Sequence, residues 1–195
     1  MRNANFTKLA LAALTMISTC SPASTPAFAE DAPSATVDDV LGVMHRLPEE
    51  GCLYNPHGKG CTMPGRFDHG PDARRIAESI VVAADGSITG NRALDAAVMA
   101  TFSSYESGND ASAVGDRGRA RGAMQLWFVS DSVAFDPAQS VLAWRAIARG
   151  SVKMCKDNAA DEKLASVAGS CSYWKARQKV RQRMQAARDA LTAKD

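Results

Sequence analysis

The sequence predicts an α+β fold, mostly α, with one small β-hairpin near its middle. Three observations predict it. Apolar residues recur at helical spacing in several segments. The clearest is Leu94, Ala97, Val98, Thr101, Phe102 and Tyr105, at offsets 0, 3, 4, 7, 8 and 11. Gly108, Gly115, Gly118 and Gly122 interrupt that pattern, which suits a loop carrying a hairpin. Composition is that of an ordinary globular chain, 46% hydrophobic and 23% charged over 195 residues. Collagen-like repeats, a long charged tail and wholesale disorder are excluded.

Residues 1–29 read as a secretory signal and not as part of the fold. Arg2 and Lys8 make a sparse positive start, Leu9 to Ile17 is an apolar core too short to span a bilayer, and Ala27-Phe28-Ala29 is a small-x-small cleavage box. An alternative address is lipidation at Cys20, behind Ile17-Ser18-Thr19, which loosely resembles a lipoprotein box. Only that route would bring the chain to a membrane, since no later run has the apolar length of a membrane helix. The expected location is therefore periplasmic or secreted. The 23 Lys and Arg against 21 Asp and Glu give a net charge of +2, and removing residues 1–29 leaves 21 against 21. A neutral mature chain has no global field to recruit nucleic acid, so no nucleic-acid partner is expected.

The domain reading follows: 1–29 signal, 30–70 an N-terminal lead with a closed loop, and 71–195 the main domain. Glu30 to Thr36 is rich in Ala, Pro, Ser and acid, a flexible lead. Val37 to Leu47 suits a short helix with Asp38 and Asp39 in its first turn. The Pro and Gly density of 48–71 argues for a loop. Four cysteines survive the signal, and an oxidising compartment turns an even count into disulfides. Of three connectivities, the short-range one pairs Cys52–Cys61 and Cys155–Cys171. The metal alternative, Cys52, His57, Cys61 and His69, matches no zinc spacing, so no metal is expected.

Pro71 then suits a helix start, and Ile76, Ile80 and Val81 form a stripe up to Asp85-Gly86. Asn91 suits the cap of the helix that carries the clearest stripe. Asp136-Pro137 opens another, with Val141, Leu142, Ile147, Val152 and Cys155 inside. The last runs from about Ser172 to Leu191, with Tyr173, Val180, Met184, Ala187 and Leu191 inward. Residues 174–194 hold seven bases and one acid, a local +6 that reads as a solvated face or as an attraction for anionic wall polymer. Trp127, Trp144 and Trp174 are candidates for sugar stacking, with core packing expected for at least two. His45, His57 and His69 show no partner in the sequence.

The chemistry-bearing stretch is Tyr105 to Trp127. Glu106 ends a helix beside Phe102 and Tyr105. Apolar neighbours and the negative end of the helix dipole both favour a protonated carboxyl near neutral pH. Glycosidic cleavage needs such an acid, because the leaving oxygen must be protonated. Glu106-Ser107-Gly108, followed by Gly115-Asp116-x-Gly118 and Gly122-Ala123-Met124-Gln125, resembles the lysozyme-like superfamily. The likeness is to soluble lytic transglycosylases (the SLT domain) and goose-type lysozymes, and it extends from about Ile76 to Leu191.

The resemblance implies a lysozyme-like fold with the hairpin beside a substrate cleft. It implies a monomer that cleaves the β-1,4 bond between N-acetylmuramic acid and N-acetylglucosamine of peptidoglycan glycan strands. Glu106 is then the acid and later the base, the products carry 1,6-anhydromuramic ends, and no cofactor is required. Asp116 is the candidate second carboxylate, either positioning a water as in a hydrolytic muramidase or bracing the turn. Asp110 is a weaker candidate. Ser107, Gly122, Met124 and Gln125 are candidate substrate contacts, with hairpin packing the simpler role for Met124 and both roles open for Gln125. The family's third segment carries a tyrosine where this chain has Ser166, while Gly169 and Cys171 keep their places. Tyr173 is the candidate replacement. The departure also fits a module that binds or assembles wall without cleaving it.

Overall fold

A computed structural model describes residues 34–54 and 65–193. The signal segment, Cys20, Cys61 and His57 lie outside the described residues. So does the partner of the expected Cys52–Cys61 link, and so does half of the alternative metal set.

Helix α1, Val37–Arg46, starts at a capping box. Thr36 Oγ1 accepts from the Asp39 amide at 3.1 Å, and the Asp39 carboxylate accepts from the Thr36 amide at 2.8 Å. These Thr36 hydrogen bonds hold the Asp39 carboxyl below its ordinary range. Val40, Val43, Met44 and Leu47 are fully buried. Residues 37–47 are therefore built into the main core, and the described residues cluster as one compact unit. Between 48 and 71, where breakers predict only loop, Glu50–Tyr54 forms the short helix α2.

Helix α3, Ala73–Ala83, follows Pro71 as expected and buries Ile76, Ala77 and Ile80. Helix α4, Arg92–Ser107, is capped by Asn91, whose side chain accepts from the Leu94 amide at 3.0 Å. Every residue from Asp95 to Tyr105 is buried, so α4 is the central helix and not a surface one with a single inner stripe. Its Ala96, Ala97, Ala100, Ser103 and Ser104 are small enough to admit neighbours on all sides. Asp95 is a carboxylate in that interior. It is satisfied by the amides of Ile88 and Thr89 at 3.1 and 2.8 Å and by the Thr89 hydroxyl at 2.6 Å. The helix stops where Gly108 takes a left-handed φ of 67°. Asn109 is pinned beneath, donating to the Phe67 carbonyl at 2.8 Å.

The expected hairpin is present. Strand β1, Val114–Gly115, pairs antiparallel with β2, Ala120–Arg121, with Gly115 opposite Ala120. Asp116–Gly118 is a single 3-10 turn between them. The short helix α5, Asp131–Ala134, was not foreseen, whereas α6, Pro137–Met154, begins as expected, with Asp136 accepting from the Gln139 amide at 2.8 Å. Helix α7, Trp174–Thr192, closes the described fold. Cys155 and Cys171 are disulfide-bonded across the segment between α6 and α7.

The core lies where α1, α3, α6 and α7 surround α4, and the most extensive helix pair is α4 with α7. Phe102 and Trp144 meet at 4.9 Å between ring centroids, among Met44, Ile76, Ile80 and Met99. Burying side chains of this size contributes about 1.5–3 kcal/mol each. Only Trp144 of the three tryptophans is core, and Trp127 and Trp174 are exposed. Tyr173 is likewise exposed and not on the inner stripe of α7. Among the described residues no helix is long and apolar enough to cross a membrane, and no cluster of three or more His, Cys, Asp or Glu is arranged to hold a metal ion.

Candidate functional site

The end of α4, the hairpin with its following turn, and the segment 166–169 line one groove of about 820 Å³. That size is within the range of small-molecule and cofactor pockets. Glu106, Asp116, Met124, Gln125 and Ser166 all face it, together with Trp127, Phe128, Ile147 and Lys179.

Glu106 reaches the groove because α4 ends one residue later, so its side chain leaves the packed body of the helix. Its surroundings differ from the expected apolar pocket. Lys179 donates to Glu106 Oε1 at 3.0 Å, and Arg183 donates to the same oxygen. Burial pushes the Glu106 carboxyl up, but Arg183 and Lys179 together outweigh it and hold the carboxyl below its ordinary range. The expectation of a resting neutral acid is thereby corrected: the two cations keep Glu106 ionised.

Arg183 is fully buried, an unusual state for an arginine. Its guanidinium lies 5.0 Å from the Phe102 ring centre and 5.5 Å from that of Tyr105, and Glu50 approaches to 3.7 Å. Burial pushes the Tyr105 hydroxyl upward, and that hydroxyl donates to the Pro48 carbonyl at 2.8 Å. The sequence did carry a signal for Arg183. It sits on the same face as Val180, Met184 and Ala187, which marks it as inward-facing. The basic face of α7 is accordingly much engaged within the fold: Arg177 and Arg181 reach Glu162 at 3.8 and 3.5 Å, and Arg188 pairs with Asp161.

The hairpin supplies the opposite side. Gln125 has a left-handed φ of 48°, which turns its side chain back under the turn. Its amide nitrogen donates to the carbonyls of Ala113 and Gly122 at 3.2 and 3.0 Å. Both amide hydrogens are thus committed to bracing the hairpin, and the side-chain oxygen packs where a Cβ on Gly115 would collide with it. Met124 is buried in the main core as well as lining the groove. Gly122 is buried with φ 73°, and a Cβ there would fall on the Ala134 carbonyl oxygen. Its role in this structure is to let the turn pack on α5.

Asp116 is exposed at the groove with a left-handed φ of 47°. Asp110 instead accepts from the amide and hydroxyl of Ser112, both at 2.7 Å, the arrangement of a local turn. Ser107 is not among the lining residues. Its hydroxyl donates to the Ser103 carbonyl at 3.1 Å and accepts from the Asp110 amide at 3.3 Å. Ser166 lines the far wall, its amide donating to the Ser151 hydroxyl at 3.2 Å. Tyr173 does not line the groove, although it lies beside Gly169, which does. His45 and His69 both face Asp68, at 3.2 and 3.7 Å, away from this site.

This chain matches no protein-family model, no curated protein and no solved structure.

Proposed function

We propose that the groove takes a glycan strand of peptidoglycan and that the protein is a lytic transglycosylase. The supporting observation is the convergence at one groove of Glu106, Asp116, Gln125 and Ser166, drawn from a helix end, a hairpin turn and a distant loop. The resemblance of Tyr105–Trp127 to lysozyme-like sequences points the same way.

In this reading Glu106, once protonated, gives its proton to the bridging oxygen as the bond from muramic C1 breaks. The substrate's N-acetyl carbonyl stabilises the anomeric carbon. The muramic C6 hydroxyl then attacks C1 and returns its proton to the Glu106 carboxylate. One glycosidic bond is lost, one internal bond forms, and no water is consumed. Lys179 and Arg183 oppose proton uptake by Glu106 and stabilise the carboxylate left when it gives its proton away. Activity should therefore be favoured at acidic pH.

A second reading has one observation in its favour. Asp116 presents an exposed carboxylate to the same groove, as a hydrolytic muramidase with a water-positioning base requires.

Digestion of purified sacculi, with masses of the released fragments, tests both. Anhydro products, lighter by one water than hydrolysed ones, support the transglycosylase. Hydrolysed products support the muramidase. Glu106→Gln keeps the shape and removes the acid, so full lytic activity in that variant overturns both. Tight wall binding without soluble fragments marks a non-catalytic module.

A further inference from the structure

Trp127 and Phe128 follow directly on the turn that holds Gln125. Phe128 is 95% exposed and Trp127 is 41% exposed, yet both belong to the groove lining. Their ring centres are 5.9 Å apart with the planes inclined at 66°, an edge-to-face pair that steadies two otherwise unsupported rings. The Arg119 guanidinium lies 5.9 Å from the Trp127 ring centre. Phe128 also has a left-handed φ of 60°, a conformation that is an outlier for a bulky side chain. A large ring held in a disfavoured backbone state, and left in water, gains nothing from the fold itself. Such strain clusters where a ligand is met.

We infer that Trp127 and Phe128 form an aromatic platform, a subsite at the edge of the Glu106 groove that stacks against the pyranose rings of a bound glycan. The inference rests on the proposed glycan reading and names a recognition element within it. Three features favour a sugar over a lipid or an apolar peptide. The rings share their groove with Asp116, Gln125 and Ser166, whose oxygens suit hydroxyl and amide hydrogens. A pyranose offers both partners at once, C–H faces to the rings and hydroxyls at its rim. The rings also line the same groove as Glu106, so one extended strand can meet both. Of the nearby cations, Arg121 is paired with Asp131, and Arg119 lies against the Trp127 ring.

The test is binding of a soluble β-1,4-linked N-acetylglucosamine hexamer and of purified sacculi, each to the wild type, Trp127→Ala, Phe128→Ala and Trp127→Phe. The expected result is weakening of hexamer binding by about tenfold for either alanine variant, with an unchanged melting temperature. Trp127→Phe, which keeps a ring, should retain most of the affinity. Alanine variants that bind hexamer and sacculi as the wild type does overturn the platform and leave the glycan groove standing. A wild type that binds neither overturns the groove reading and the platform together. A Phe128→Ala variant that loses flotation with phosphatidylglycerol vesicles but keeps glycan affinity overturns the platform in favour of a membrane contact.

Discussion

Under the proposed lytic reading, replacing Lys179 by Met should make Glu106 a better acid at neutral pH. The perturbation removes one of the two cations on Glu106 and keeps an unbranched apolar stem of similar reach. At 3.0 Å the pair is close. Two unit charges at that separation attract by about 1.4 kcal/mol in a dielectric of about 80 and by about 5.5 kcal/mol at an effective dielectric of about 20. Lys179 is 33% exposed and Glu106 26% exposed, so solvent screening places the interaction near the lower figure. Because the cations favour the ionised form, losing one raises the Glu106 carboxyl, with Arg183 still holding it down.

A general acid works in its protonated form. The alkaline limb of the activity profile should therefore move to higher pH, and the rate on that limb should rise. The assay is clearing of sacculi from about pH 4 to about pH 8, beside carbon NMR of the Glu106 carboxyl. An alkaline limb that stays in place while the carboxyl titrates higher would refute the assignment of Glu106 as the acid. A carboxyl that does not move would refute the electrostatic account of its surroundings. Stability has its own sign. Glu106 is depressed in the folded state, so its contribution is present above the ordinary glutamate range and is lost as pH falls through the lowered value. Lys179→Met should shrink that acid-dependent part in urea denaturation followed at several pH values.

Two other outcomes follow from the geometry. Gly122→Ala combines a left-handed φ with a Cβ on the Ala134 carbonyl, so it should cost about 3 kcal/mol or more in urea unfolding, and wild-type stability would show that the turn can shift freely. Cys155→Ser with Cys171→Ser opens a link with a sequence separation of 16. The expected loss is about 3 kcal/mol, read as a lower urea midpoint, and an unchanged midpoint would mean the segment is held by packing alone.

Local signals proved the most legible part of the chain. Asn91 and Asp136-Pro137 mark helix starts because caps and prolines act within one turn, and the glycines of 108–122 mark the hairpin for the same reason. Cys155 and Cys171 were pairable from spacing and compartment. Features set by distant residues were harder to read. The electrostatics of Glu106 depend on Lys179 and Arg183, 73 and 77 positions away, which in the sequence are only two members of a basic helix. Adjacent Phe102 and Tyr105 suggested a greasy pocket, yet those rings flank the Arg183 guanidinium. The burial of α4 on every side was hidden by its alanines and serines, which add little to a hydrophobic stripe. Core packing for at least two tryptophans is the default expectation for so large a side chain, yet Trp144 alone of the three is buried and Trp127 and Trp174 are exposed.

The separation of Glu106 from its two cations also orders events during synthesis. A ribosome releases the end of α4 well before it releases α7. Until Lys179 and Arg183 arrive, the nascent carboxylate has neither counter-charge. A chain halted before α7 would carry Glu106 without the two cations that hold it ionised, which makes the last helix the step that fixes the charge state of that carboxyl.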